Sequence, residues 1–268
     1  MTGDVSGTLP GARLPRAFFA RDVLSVAPDL LGCLLTHDGV TVRITETEAY
    51  AGSRDPGSHA YRGLTPRTAP MFGPAGVTYV YFTYGMHWML CLVTGVSGEA
   101  QAVLIRAGEV VAGEIAGARR PGVPERDWCR GPARLAMTLG LDGRHTGRDF
   151  CRPLLAGGEG SDRAAPADAN AARGVARGAH RDVAATSPPS RVDRAAGPPP
   201  QQGPPPIELR VTSGEPVPAA AIMTGPRVGV SGPGGDGAAY PWRFWIAGER
   251  TVSTYRPGVI RGRRRAAP

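Results

Sequence analysis

The segment between about residues 157 and 206 most limits what this chain can fold into. It consists largely of Ala, Gly, Pro, Arg and Asp, and it ends in the tract Gly197-Pro-Pro-Pro-Gln-Gln-Gly-Pro-Pro-Pro206. No Phe, Trp or Tyr occurs from Cys151 to Ala239. Such a composition cannot bury enough apolar area to order itself, so we predict a disordered insertion at 157–206.

The sequence on either side of this segment predicts a single domain. The parts before and after it are each too incomplete to close a hydrophobic core, so we expect them to pack together. We therefore predict a domain built from residues 16–156 plus 207–255, with the insertion in a surface connection. Residues 1–15 are polar and rich in Gly and Pro, which predicts a flexible N-terminus, and residues 256–268 form a basic tail.

Apolar spacing predicts both helices and strands. Residues 16–35 carry apolar side chains at helical spacing, with Gly32 ending the helix, and residues 124–141 predict a second helical region. Asp38-Gly39 is a hairpin signal before an alternating strand at 40–50. Further strands are predicted at 34–35, 77–84, 89–93, 102–107, 207–211, 227–230 and 242–246. This order predicts an α+β fold, a single domain with a mixed, largely antiparallel curved β-sheet flanked by helices.

The basic residues indicate a nucleic-acid partner. The formal net charge of +8 is typical of a protein that meets phosphate backbones. All 31 basic residues are Arg. A GC-rich coding bias explains the choice of Arg over Lys, but it does not explain the excess of positive charge. The absence of Lys excludes a mechanism in which a side-chain amine forms a Schiff base.

The sequence predicts no metal and no cofactor. Cys33, Cys91, Cys129 and Cys151 have no CxxC spacing and no His at a ligand interval, so they signal neither a zinc site nor a disulfide framework. The chain lacks an apolar run of about 18 residues, and its N-terminus lacks an apolar signal segment. We therefore expect a cytoplasmic protein that does not bind membranes.

Five of the seven tyrosines lie between residues 50 and 84, close in sequence to Glu46, Glu48 and His59. A domain with few aromatic residues would ordinarily spread them through its core as packing groups. Their concentration beside charged residues predicts a pocket for a planar ligand. Stacking on aromatic rings contributes about 1–3 kcal/mol per base and tolerates any base, so nucleobases are the leading ligands.

Glu46, Glu48 and Tyr50 fall on one face of a predicted strand because strand side chains alternate. Two carboxylates about 7 Å apart can perturb each other's protonation when both are shielded. Such pairs hydrolyse glycosidic bonds through an oxocarbenium-like transition state. A pair that only solvates the strand is the ordinary alternative, but the neighbouring His59 and Tyr81 favour a site.

Three more aromatic positions have rival interpretations. Tyr79 is expected to pack within the sheet beside Tyr81. His59 by itself would ordinarily be structural, but in a loop rich in Gly and Pro it can reach the edge of a base. Tyr84, at the end of its strand, is a candidate for a ring that wedges a duplex so that a nucleotide is extruded at a cost of about a few kcal/mol.

These residues resemble the motifs of a known family, the alkyladenine (3-methyladenine, or methylpurine) DNA glycosylases, over about residues 16–155 and 207–255. The Glu-Ala-Tyr and Tyr-Val-Tyr-x-x-Tyr-Gly-Met blocks together are specific to it. The matching blocks are Phe18–Asp22, Asp29–Gly32, Ile44–Tyr50, Asp55 with His59, Thr65–Arg67 with Met71-Phe72, Gly76–Met86, Val103–Ala107, Cys129–Leu135 and Pro226–Val230.

The resemblance implies a monofunctional repair enzyme that flips an alkylated purine from duplex DNA and hydrolyses its N-glycosidic bond. The expected substrates are 3-methyladenine and 7-methylguanine, with hypoxanthine and ethenoadenine as further ones. Glu48 is then the general base that activates water. Arg106 and the backbone carbonyl of Val228 hold that water.

The resemblance also implies roles for the aromatic residues. Tyr50, His59 and Tyr81 form the slot around the extruded purine. Tyr84 fills the gap left in the duplex, and Met86 lies near the same edge. Glu46 has no matching catalytic role, so we interpret it as structural or electrostatic.

One position departs from the family pattern. Where the family typically places Asn in the strand after Tyr-Gly-Met, this chain has Cys91. The resemblance assigns that Asn to the floor of the pocket, where it rejects normal guanine by clashing with the exocyclic amino group. The smaller Cys91 is therefore expected to bind substrate but to relax this selection.

The predicted partner is double-stranded DNA that contains damaged purines, bound by a monomer at the nucleoid. Two alternatives from other classes stay open at this point. The chain is a non-catalytic nucleic-acid-binding module if its tyrosines only stack bases. It is a carbohydrate O-glycosidase if Glu46 and Glu48 act as a catalytic pair.

Overall fold

The computed structural model describes residues 11–83, 85–151 and 208–259. The predicted insertion at 157–206 and the wedge residue Tyr84 lie outside the described residues. So do most of the predicted N-terminal segment and of the basic tail. The predicted domain bounds therefore stay a prediction.

The helices of the described chain are short. They are α1 (Arg16–Phe19), α2 (Val23–Asp29), α3 (Ile115–Arg119) and α4 (Pro132–Thr138). Single 3-10 turns occur at Gly52–Arg54, Ala69–Phe72, Glu125–Asp127, Gly143–His145, Ala219–Ala221 and Pro233–Gly235. No helix in these ranges combines the length and the apolar character needed to cross a bilayer.

The prediction of one helix from residue 16 to Gly32 is wrong, because Asp22 interrupts it. The Asp22 backbone is not helical, and its carboxylate accepts the Leu24 N–H at 2.9 Å, so Asp22 caps a new helix. Gly32 does end the segment as expected. Its φ is +83°, and a Cβ atom there would lie 2.5 Å from the Glu215 carbonyl oxygen.

The strands form one antiparallel sheet. They are β1 (Leu34–His37), β2 (Val40–Ala51), β3 (Thr78–Thr83), β4 (His87–Thr94), β5 (Gln101–Ala112), β6 (Leu209–Thr212), β7 (Ile222–Gly225) and β8 (Arg243–Ile246). The sheet order is β3-β4-β5-β2-β1-β6, and β8 pairs with β2 and β7. The predicted α+β class is confirmed, although each pairing among the described strands is antiparallel, so the sheet is not mixed. The strand predicted at 227–230 is wrong, since that segment is a loop after β7.

Strand β2 organises the sheet because it pairs along most of its length with β5 and by its two halves with β1 and β8. The β2–β5 register shifts on either side of Glu46, so Thr45 on β2 and Arg106 on β5 are each an extra residue. Bulges of this kind bend a sheet and re-aim side chains. The two bulges thus curve the sheet beside Glu46 and Glu48.

Apolar residues cover both faces of the sheet, as strand alternation requires. On β4, Leu90 and Leu92 belong to a core cluster with α1, α2 and α4, whereas Cys91 and Val93 belong to a smaller cluster on the opposite face. The second cluster also contains Tyr79, which is 2% exposed. The prediction that Tyr79 packs within the sheet is therefore confirmed.

Substitutions on β5 test the position of the core. Ile105 is fully buried, whereas Val111 on the same strand is 49% exposed. We expect Ile105→Ala to lower the free energy of unfolding by about 2–5 kcal/mol, because it leaves a cavity. Val111→Ala is expected to change it by less than about 1 kcal/mol. Urea unfolding measures both values, and equal losses would contradict this core.

Candidate active site

A cleft of about 950 Å³ opens on the face of the sheet that carries the smaller core cluster. Its walls bring together six of the residues that the sequence predicts as site residues. These are Tyr50, His59, Tyr81, Cys91, Arg106 and Val228. They come from four strands and two loops, so the cleft forms only when the sheet is assembled.

Glu48 lies directly behind the wall of this cleft. Its side chain has no exposed surface, but its three hydrogen-bonding or ion-pair partners all line the cleft. The Tyr50 hydroxyl donates to Oε2 at 2.8 Å, the Val228 backbone N–H donates to Oε1 at 2.7 Å, and Nη1 of Arg106 lies 3.3 Å from Oε1. Glu48 is thus tied by these contacts to three groups of the cleft wall.

Val228 contributes through its backbone and is only partly buried, so it is not ordinary core packing. The described contact is a donation from its N–H to Glu48. The predicted role of its carbonyl oxygen is a different contact and stays a prediction.

The aromatic residues of the cleft form a connected group. The rings of Tyr79 and Tyr81 stack with centroids 5.1 Å apart, and His59 meets Tyr81 edge to face at 4.8 Å. Burial, with a smaller contribution from neighbouring groups, raises the pKa of Tyr50 and Tyr81 well above its usual value. Their hydroxyl groups are therefore protonated at neutral pH.

His59 combines an exposed surface with a lowered pKa. Partial burial of the ring is the larger cause, and the positive charge of Arg67 adds to it. Its Nδ1 lies 3.4 Å from the Tyr79 hydroxyl. Imidazole is consequently neutral at pH 7, with one donor and one acceptor nitrogen, and Nδ1 faces Tyr79.

Cys91 lines the cleft and lies opposite Tyr79 in the β3–β4 register. Only 4% of the residue is exposed. Burial, and then the charge of Glu48, raises the pKa of its thiol far above the usual value. Cys91 is therefore a small neutral group in the lining of the cleft, and not a thiolate nucleophile.

Glu46 points inward beside Glu48 and has no exposed surface. It accepts hydrogen bonds from Arg106, Arg243 and Ser253. Its Oε1 already accepts three hydrogen bonds, and of its partners only Arg106 lines the cleft, so Glu46 is less accessible from the cleft than Glu48. The electrostatic interpretation of Glu46 therefore fits its surroundings.

The sequence reasoning missed a second buried ion pair, formed by Asp55 and Arg227. Arg227 is 1% exposed and donates to both carboxylate oxygens of Asp55, at 2.5 and 2.6 Å. Its guanidinium carbon lies 4.6 Å from the Tyr50 ring centroid and 5.3 Å from that of Trp242. The Arg227 guanidinium packs against the Tyr50 ring, and Arg227 directly precedes Val228 in the chain. The only sequence signal for this ion pair was that Asp55 and Arg227 both lie in blocks that resemble the family motifs.

Arg243 was also missed, although the sequence carried a signal. It interrupts the apolar run Trp242-Arg-Phe-Trp-Ile246, and a cation inside such a run requires a buried partner. That partner is Glu46, at 2.6 Å from Nε of Arg243.

The lining of the cleft includes four arginines, Arg120, Arg130, Arg134 and Arg256. Arg130 and Arg134 also face the Asp127 carboxylate, at 3.5 and 3.7 Å. Arginines in a cleft lining attract phosphate groups. Met86, in the turn between β3 and β4, is 68% exposed and does not line the cleft.

Comparison with known proteins places the chain in a family. Residues 17–183 match the family described as Methylpurine-DNA glycosylase (MPG). The chain belongs to this family. The methylpurine-DNA glycosylases are hydrolases of base excision repair, so the predicted recognition and enzyme class are confirmed.

Several relatives match this chain over nearly its whole length. Proteins named "Putative 3-methyladenine DNA glycosylase" are 43% identical in Streptomyces avermitilis and 42% identical in Frankia casuarinae. The match to the first relative spans 94% of this chain and 95% of the relative. The match to the second spans 90% of this chain and 92% of the relative. A protein of the same name from Burkholderia lata is 39% identical over 94% of this chain and 96% of the relative.

The Asp55–Arg227 pair is open to a stability test. Asp55→Asn leaves the buried Arg227 guanidinium without its counter-charge, so we expect a loss of about 3–5 kcal/mol in the free energy of unfolding. Asp22→Asn is the matched control, since Asp22 pairs with Arg54 at an exposed site and Asn also caps helices. Chemical unfolding measures both, and similar losses would show that burial of the pair is unimportant.

Proposed function

We propose that this protein excises alkylated purines from duplex DNA by hydrolysis of the N-glycosidic bond. The expected substrates are 3-methyladenine and 7-methylguanine, with hypoxanthine and ethenoadenine as further ones. One observation carries the proposal. An ionisable carboxylate, Glu48, lies behind an aromatic cleft, and groups from the cleft wall hydrogen-bond it.

The cleft suits an extruded purine nucleotide. Tyr50, Tyr81 and His59 present ring surfaces and edges to it. Alkylation at N3 or N7 makes the purine cationic, and a cationic ring binds well against electron-rich tyrosine faces. Because a base inside a duplex cannot reach this cleft, the target nucleotide must flip out of the stack. Tyr84 fills the gap that it leaves, with Met86 at the same edge.

The chemistry follows from the position of Glu48. The bond between C1′ and the purine nitrogen breaks, its electron pair leaves with the base, and positive charge develops on the sugar. Glu48 removes a proton from a water molecule as the water oxygen bonds to C1′. Arg106 and the Val228 carbonyl hold this water, and the negative Glu48 stabilises the oxocarbenium-like transition state.

Water can bind at Glu48 even though its side chain has no exposed surface. Each carboxylate oxygen has two lone pairs, and Oε2 uses one of them for the Tyr50 hydroxyl. The remaining lone pair accepts the water. The buried position removes competing solvent and strengthens the interaction with developing positive charge.

The reaction ends at base release. Strand cleavage by β-elimination ordinarily needs an amine that forms a Schiff base, and the sequence contains no Lys. The protein thus works as a monofunctional glycosylase. A monomer suffices, because every residue that we assign to the reaction lies on the same chain.

Duplex DNA is the partner that the charge distribution fits. The four arginines of the cleft lining and the net charge of +8 both favour a phosphate backbone. We place the protein in the cytoplasm, on the DNA of the nucleoid.

Two other functions predict different outcomes in the same assay. A carbohydrate O-glycosidase needs two carboxylates that face the substrate, and of the residues bound to Glu46 only Arg106 lines the cleft. A non-catalytic DNA-binding module would bind duplex DNA without releasing base.

Glu48→Gln tests the proposed mechanism. We expect it to lower the rate of 7-methylguanine release by at least about 100-fold, because the amide cannot act as a general base. Binding to the same duplex should remain. The measurement is single-turnover release of free base, together with fluorescence anisotropy for binding.

Glu109→Gln is the matched control, since Glu109 is an exposed residue of β5. It should release base at the wild-type rate. Full activity in Glu48→Gln would refute the general-base assignment. No release by the wild type from any alkylated purine would refute the proposed function.

Cys91→Asn tests substrate selection at the cleft floor. The larger amide should clash with the exocyclic amino group of guanine, so we expect less excision of undamaged guanine relative to 7-methylguanine. Cys91→Ser, which has nearly the wild-type size, should keep the wild-type ratio. Long incubations with undamaged and alkylated duplexes measure both rates. An absence of guanine release by the wild type would refute the relaxed-selection hypothesis.

A further inference from the structure

The network around Glu46 extends behind Glu48 on the same face of β2. Oε1 of Glu46 accepts hydrogen bonds from Nε of Arg106 at 2.9 Å, Nε of Arg243 at 2.6 Å and the Ser253 hydroxyl at 2.9 Å. Its Oε2 accepts the Ser253 backbone N–H at 2.7 Å. Glu46 does not line the cleft, so any effect on the reaction must pass through another residue.

Arg106 connects the two carboxylates. Its Nε contacts Glu46, its Nη2 donates to the Ser253 hydroxyl at 3.2 Å, and its Nη1 lies 3.3 Å from Oε1 of Glu48. Because the guanidinium is planar and rigid, binding at Nε and Nη2 fixes the position of Nη1. The bulge at Arg106 on β5 turns the residue into this arrangement.

The charges of this group balance. Glu46 and Glu48 are negative, Arg106 and Arg243 are positive, and each side chain is at most 6% exposed. Water screens such charges only weakly, so a change at one alters the potential at the others. Buried ion pairs contribute little stability compared with apolar packing. The network therefore calls for a role beyond the fold.

We propose that Glu46 is a positioning residue for base excision: it holds Arg106 against Glu48 and offsets the arginine charge, so that Glu48 keeps its strength as a base. The proposal rests on the function proposed above, in which Glu48 activates water. Without Glu46, Glu48 would face an excess of positive charge. That excess stabilises the carboxylate and weakens it as a proton acceptor.

Other titratable groups near Glu48 do not supply this balance. Burial is the main cause that raises the pKa of Tyr50, Tyr81 and Cys91, so these three groups are neutral near pH 7. Arg227 is neutralised by two short contacts with Asp55. Burial alone would lower the pKa of Arg106, but Glu48 and then Glu46 raise it, so the guanidinium stays charged.

The experiment compares Glu46→Gln, Arg243→Gln and the double variant that carries both changes. Single-turnover release of 7-methylguanine from duplex DNA is measured as a function of pH. This base is already cationic, so the leaving group needs no added proton. The acidic limb of the profile therefore reports the protonation of Glu48 in the complex.

The two single variants should shift this limb in opposite directions. Glu46→Gln leaves one excess positive charge, so the limb should move about 1 pH unit lower, with a plateau rate about tenfold lower. Arg243→Gln leaves one excess negative charge, so the limb should move about 1 pH unit higher. The double variant restores the balance, and its limb should return close to the wild-type position.

A purely structural role of Glu46 predicts slower release without opposite shifts. Unmoved limbs, or limbs that move in the same direction, would overturn the proposal. If Glu46→Gln does not fold, Arg243→Gln alone decides the question. An acidic limb of Arg243→Gln at higher pH than that of the wild type supports the charge balance. A limb at the wild-type position or at lower pH contradicts it.

Glu48→Gln separates this proposal from the proposed function. Full release by Glu48→Gln shows that the general-base assignment itself has failed. Loss of release in Glu48→Gln with unmoved limbs in the other variants refutes only the role of Glu46.

Discussion

The structure depends on neutralising two carboxylates inside a sheet that apolar residues cover on both faces. Glu46 and Glu48 have no exposed surface, and an unpaired carboxylate in such a place is strongly unfavourable. Apart from Tyr50 on β2 itself, their partners come from β5, from β8 and from loops that follow the 157–206 segment in sequence. The burial of β2 therefore depends on contacts from the chain on both sides of that segment. The same contacts that permit burial also set the chemistry of Glu48.

The Asp55–Arg227 pair extends this dependence to the wall of the cleft. Arg227 also donates to the carbonyl oxygens of Ala49 and Gly234, at 2.9 and 2.8 Å. It thus fixes the loop that presents the Val228 N–H to Glu48, and it packs against the Tyr50 ring. Prearranged groups of this kind need little reorganisation during a reaction. The same buried pair therefore holds two parts of the cleft wall, Tyr50 and the loop at Val228.

Local patterns predicted the parts of the site that lie on single strands. Alternation placed Glu46, Glu48 and Tyr50 on one face, and it placed Tyr79 beside Tyr81. The failures have a different origin. The helix predicted from residue 16 to Gly32 divides because Asp22 prefers a capping geometry, and the strand predicted at 227–230 is a loop because Arg227 turns inward to Asp55. Both depend on contacts that hydrophobic periodicity does not describe.

The sequence by itself determined which side chains share a face and which family the motifs resemble, because alternation is a local property of an extended backbone. Only the tertiary structure decided which charges meet. Arg227 and Asp55 are 172 positions apart, and Arg243 and Glu46 are 197 apart. Their contacts depend on strand register, including the bulges at Thr45 and Arg106, and register is set by packing of the whole sheet.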